Sequence, residues 1–162
     1  MMNQSIEEFI GLNIDNIPYE VIRLDLEHKP NSKTYVANNQ NIKYFTERID
    51  LMLLTTDNNG VINSISADFN TIITQNFYDA LLEGYGTPDS MSCSNKIMNV
   101  NEQFHKNGIT TVETNITLRT CGFHENPTFI IWNKTKYQIV FSLNHELNKT
   151  DLRISTKFIL SP

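Results

Sequence analysis

The sequence predicts an α+β domain, and three observations carry that expectation. Two stretches carry helix-opening and helix-closing signals, "SIEEFIG" and "TQNFYDALLEGYG". Most of the remaining apolar residues recur with a period of two, the pattern of strands with one buried and one wet face. The helices stand apart from consecutive runs of strands instead of alternating with them, which points to an antiparallel sheet rather than a doubly wound parallel one. The expected architecture is a sheet of about six to eight strands with two short helices packed on one face, open to a reading as two helix-then-strands repeats.

The first helix is expected at residues 5–11. Ser5 and Glu8 have capping-box spacing, Ile6, Phe9 and Ile10 share a face, and Gly11 supplies a stop. In "VIRLDLE", Ile22, Leu24 and Leu26 are placed inward and Arg23, Asp25 and Glu27 outward. Residues 28–41 read as a loop holding a short strand at "KTYVA". A hairpin follows, with Ile49, Leu51 and Leu53 on one strand and Val61, Ile65, Ala67 and Phe69 on the other. Asn58, Asn59 and Gly60 supply the reversal, because these residues tolerate positive φ.

Thr74 is the expected N-cap of the second helix, whose Phe77, Tyr78, Leu81, Leu82 and Tyr85 form one apolar stripe. Gly84 or Gly86 closes it and Pro88 forbids its continuation. Residues 87–108 read as a long polar connection with one helical turn at 102–105, and so as a candidate contact surface. The rest is β: "TTVETNITLRT" with Val112, Ile116 and Leu118 inward, "PTFIIW", "KYQIVFSL" with Tyr137, Ile139, Phe141 and Leu143 inward, and "TDLRISTKF" with Leu152, Ile154 and Phe158 inward.

A helix ending "F-Y-x-x-L-L-x-x-Y-G-x-P" at 77–88, a lone tryptophan, Trp132, at a strand end, and the strand "KYQIVFSL" together resemble small bacterial α+β domains of the β-lactamase-inhibitor-protein-like kind. The resemblance covers about half of the chain and rests on structural residues, with no catalytic residue to carry over. It implies a helix packed on an antiparallel sheet and a binding, inhibitory or assembly role.

With 162 residues, 40% hydrophobic and 19% charged, the chain has the size of a single domain over 1–162, with 1–70 and 71–162 as conceivable halves. A net charge of −5 and a pI near 5.3, with no Lys/Arg cluster, argue against a nucleic-acid partner. No apolar run approaches the ~18 residues of a membrane span, so no membrane association is expected. The start "MMNQSIEEFIGL" carries no basic leader, which reads as cytoplasmic, with an exported form stripped of its leader kept open. Cys93 and Cys121 stay reduced in a cytoplasm and could bridge if the protein is exported.

No metal or other cofactor is expected. Cys121 and His124 lie three apart, and Cys93, His105 and His145 would have to complete a zinc set without a second close pair. The same residues are the candidates for a Cys-His nucleophile, with no local motif in support. Glu7, Glu8, Asp25, Glu27, Glu83 and Glu102 have structural explanations. "GYGTP" follows a helix, whereas phosphate loops follow a strand. The Asn-x-Thr sequons at Asn115, Asn133 and Asn148 are expected by chance in an Asn-rich chain.

The function expected from these residues is a noncatalytic protein-binding module of a bacterium, of the inhibitor or immunity type, with an unidentified protein partner and a monomer favoured over a homodimer. Its contact residues are assigned to Tyr85 and Trp132, at element ends where a ring is half exposed, and to Arg119 and Arg153. The alternative is a small-ligand carrier or sensor with an apolar pocket between helix and sheet, lined by Tyr78, Tyr85, Phe129, Trp132, Tyr137 and Phe141. A Cys-His hydrolase is the third reading.

Overall fold

In the computed structural model, which describes residues 5–25, 31–38, 41–95, 100–104, 110–114 and 117–157, the chain is mostly β. The strands are β1 Val21–Leu24, β2 Lys33–Ala37, β3 Lys43–Tyr44, β4 Glu47–Arg48, β5 Leu51–Thr56, β6 Ile62–Phe69, β7 Ser90–Ser94, β8 Val100–Phe104, β9 Thr110–Thr114, β10 Leu118–Thr120, β11 Phe129–Asn133, β12 Tyr137–Asn144 and β13 Lys149–Thr156. Nine of them form one antiparallel sheet in the order β1-β2-β5-β6-β13-β12-β11-β7-β10, while β3-β4 and β8-β9 are separate two-stranded ribbons. Among the described residues the one α-helix is α1, Gln75–Tyr85.

This corrects the expected fold class. The sheet is larger than six to eight strands, and one helix, not two, lies on it. The difference sits at the N-terminus, where Ile6–Phe9 is a single 3-10 turn. Ser5 makes no side-chain cap to a backbone amide. Its hydroxyl donates instead to the Glu7 carboxylate, so the capping box that would have opened an α-helix never forms. Gly11, at φ 88°, then turns the chain, and its amide donates to the Ile62 carbonyl at the start of β6. A second 3-10 turn follows at Ile14–Asn16.

The second helix forms as its residues dictate. Thr74 Oγ1 accepts from the Phe77 amide at 3.2 Å, satisfying one of the amides left without partners at a helix start. Gly86, at φ 76°, takes a backbone conformation that few other residues tolerate and ends the helix through its amide bond to the Leu82 carbonyl. Phe77, Tyr78 and Leu81 are buried against the sheet. Their neighbours are Phe69 and Phe141, with ring centroids 5.8 and 6.0 Å from Phe77.

The β5-β6 hairpin also forms, turning through residues 57–60, where Asp57 Oδ1 accepts from the amides of Asn59 and Val61. The phase of β5 is opposite to the one expected. Met52, Leu54 and Thr56 are buried, and Leu51 and Leu53 face away from the core. "LMLLTT" is apolar at four successive positions, so alternation alone leaves its phase undecided. The same reversal occurs in β1, where Val21 packs towards the core and Ile22 is 51% exposed. Leu118 is 52% exposed on edge strand β10, not inward. In β12 and β13 the expected inward residues Ile139, Phe141, Leu143, Leu152 and Ile154 are all buried.

The expected loop at 87–108 holds β7, which joins the main sheet, and β8, which pairs with β9. The helical turn expected at 102–105 is strand β8 through Phe104, and His105 lies outside the described residues, as do Leu26, Ile116 and Phe158. The two halves of the chain are joined by direct pairing of β6 with β13, which runs from Thr150↔Phe69 to Ser155↔Ser64. The core therefore lies on one side of a continuous sheet, under α1, the N-terminal turns and the β3-β4 ribbon.

Candidate functional site

Of the four expected contact residues, Tyr85 and Trp132 lie together, while Arg119 and Arg153 sit on other strands away from them. Trp132 is buried, 1% exposed, with its ring 6.0 Å from those of Tyr85 and Phe141. Its Nε1 donates to the Gly86 carbonyl at 2.8 Å, so the indole ties β11 to the end of α1. Tyr85 is half-buried over the same region. Arg119 is exposed on edge strand β10 and pairs with Glu125 at 2.9 Å. The Glu125 carboxyl is held below the usual range, first by the Gly122 amide it accepts from and then by Arg119. Arg153 is exposed near the middle of the main sheet, on the face away from the core.

Tyr85 belongs to a polar knot that the sequence did not reveal. Its hydroxyl donates to the Glu7 carboxylate, which also accepts from Ser5. Because the Tyr85 proton is committed to Glu7, the adjacent Tyr44 hydroxyl acts as donor to Tyr85. Burial, followed by the Glu7 charge, holds Tyr85 above the ordinary phenol range, and burial followed by the Tyr85 charge does so for Tyr44. Lys134 Nζ caps the cluster, donating to the Tyr85 carbonyl at 2.8 Å and lying 5.2 Å from its ring centroid. Glu7, only 8% exposed, is thus paired by two hydroxyls, as a buried carboxylate requires. The knot fastens the N-terminal turn, the β3-β4 ribbon and α1 together, which is structural work.

The space between α1 and the sheet, where a ligand pocket was expected, is filled by rings. Tyr44, Phe69, Phe77, Trp132 and Phe141 are all fully buried there. Nor is either thiol available: Cys93, buried in β7, and Cys121, just beyond β10, form a disulfide across paired strands. A sulfur in that bond is neither a nucleophile nor a thiolate ligand. Of their expected histidine partners, His124 is exposed beside the bridge and His145 is hydrogen-bonded to the Pro127 carbonyl at 2.7 Å, while His105 lies outside the described residues. Among the described residues no group of three or more His, Cys, Asp or Glu is placed to hold a metal.

The outer face of the sheet is the remaining candidate, and strand register builds it row by row. One row is wholly neutral and polar: Thr34, Thr55, Ser64, Ser155, Gln138 and Asn133 face one another across six strands. The next mixes apolar groups with one cation: Val36, Leu53, Ser66, Arg153, Val140 and Ile131. In the third, Asp68 lies directly opposite Asp151. Burial and then the Asp151 charge raise the Asp68 carboxyl above its ordinary value, the expected consequence of two carboxylates in cross-strand contact. Between the first two rows lies a trough of about 830 Å³ with Thr55, Ser64, Ser66, Arg153 and Ser155 in its wall. Neighbouring strands are ~4.8 Å apart, so each row presents hydrogen-bonding groups at that interval.

Comparison with protein-family models, with characterised proteins and with solved structures finds no match for this chain. Among the described residues no helix is long and apolar enough to cross a membrane.

Proposed function

We propose that the protein is a noncatalytic binding module, of the inhibitor or immunity kind, that meets a partner protein with the outer face of its nine-stranded sheet. The observation that carries this reading is the asymmetry of the sheet. One face is sealed by α1 and a ring-filled core, and the other carries an open trough lined mainly by neutral polar groups, with Arg153 and Lys157 as its charges. Nine strands at ~4.8 Å spacing make that face about 38 Å wide, ample for the ~800 Å² per partner of a stable interface. An arginine with apolar neighbours such as Val140 and Leu53 and a polar surround matches the composition of an interface.

The disulfide favours a working compartment that is oxidising, since such bonds form and persist outside reducing cytosol. We therefore place the protein's action in an exported form, against the cytoplasmic reading of its first residues.

Affinity capture of the tagged protein from its source cells tests the reading, with Ser66→Trp run beside wild type to fill the trough while leaving the core intact. One protein recovered in stoichiometric amount by wild type and lost from Ser66→Trp supports it. No captured protein, or one captured equally by both, overturns it.

A further inference from the structure

The charge of the trough points to the chemistry of the partner. The chain as a whole is acidic, with a net charge of −5, yet the two charged residues lining the trough, Arg153 and Lys157, are both cations, and no carboxylate lines it. No ion pair is formed by either cation among the described residues, whereas Arg119, on the edge strand, is already paired with Glu125. An exposed, unpaired guanidinium between Ser66 and Val140 presents its fork of donors to whatever fills the concavity.

We propose that the trough seats an acidic side chain from an extended segment or loop of the partner protein, with the carboxylate on Arg153. The proposal rests on the binding-module reading. A carboxylate matches the guanidinium fork in two parallel hydrogen bonds. The neutral row of Thr55, Ser64, Ser155 and Gln138 offers both donors and acceptors to the segment's main chain. Leu53, also in the trough wall, gives apolar contact beside the charge.

Other occupants fit less well. The trough lining includes no aromatic ring on which a sugar could stack. A nucleic acid needs a run of cations, and the trough lining supplies two, Arg153 and Lys157. A second copy would press one concave surface against another.

Selection of a random displayed-peptide library on the whole oxidised protein tests this without knowledge of the natural partner, with the enriched peptides then measured against wild type, Arg153→Gln and Arg119→Gln, and an oligosaccharide array run in parallel. The expected result is enrichment of Asp- or Glu-bearing peptides whose affinity falls about tenfold or more in Arg153→Gln, and little in Arg119→Gln. Changing that acidic residue to its amide should reproduce the loss. Arg153 is exposed, so unchanged circular dichroism and melting temperature are expected for its variant. Peptides without an acidic residue, or acidic ones indifferent to Arg153→Gln, would overturn the carboxylate assignment while leaving a binding module standing. Oligosaccharide binding with no peptide enriched would sink both.

Discussion

Glu7 is the residue on which three separate elements converge, and its buried carboxylate depends on donors from Ser5 and Tyr85. Removing the phenol hydroxyl leaves that carboxylate short of a partner, a loss of about 1–3 kcal/mol when the group cannot reach water. Tyr85→Phe should therefore lower stability by that amount in urea unfolding, with ring packing against Phe45 and Trp132 kept. Tyr85 and Tyr44 have folded pKa values raised above the ordinary phenol. Their contribution is fully present below the unfolded value of about 10 and is lost as pH rises through the raised folded values. The deficit of Tyr85→Phe should thus hold constant from neutral pH to about 10 and shrink above it. A deficit already vanishing at pH 8 would contradict the network. Tyr85 was legible in the sequence as a special ring, but Glu7 and Tyr44 were not, because the partners lie 78 and 41 positions away and capping-box spacing gives the local role to Glu8.

At the scale of elements, α1 was readable because its cap, stripe and stop agree with one another. Strands β12 and β13 were readable because their outward positions, Val140 apart, are polar, which fixes phase as well as period. β1 and β5 were not: their apolar residues fall on both faces, and register with β2 decided which face each residue took. Pairing of the cysteines was equally illegible, since only the β7-β10 register brings Cys93 and Cys121 together. The bridge closes a segment with a sequence separation of 28, for which loop-closure entropy gives roughly 3–4 kcal/mol of stabilisation. Reduction, or the double substitution Cys93→Ser with Cys121→Ser, should lower unfolding free energy by about that much. A protein equally stable with and without reductant would show that the bridge contributes nothing to the fold.

For the whole molecule, the decisive feature is the placement of β13 between β6 and β12, which joins early and late strands into one sheet. Strands such as β6, β12 and β13 could be read locally. Their order could not, since β6 and β13 are separated by most of the second half of the chain and nothing in either names the other. That order creates both the sealed aromatic face and the outer face on which Ser64, Ser66, Arg153 and Ser155 come together. The account's central claim is that this outer face, not the edges of the sheet, does the binding. Calorimetric titration of the partner recovered by affinity capture tests it most directly, with substitutions at Ser64, Ser66, Arg153 and Ser155 compared against substitutions at the exposed edge residues Ile22 and Leu118. The account predicts that losses of affinity gather on the outer face and peak at Arg153, with the edge variants near wild type. Losses gathered at Leu118 or Ile22, with the outer-face variants binding normally, would contradict it.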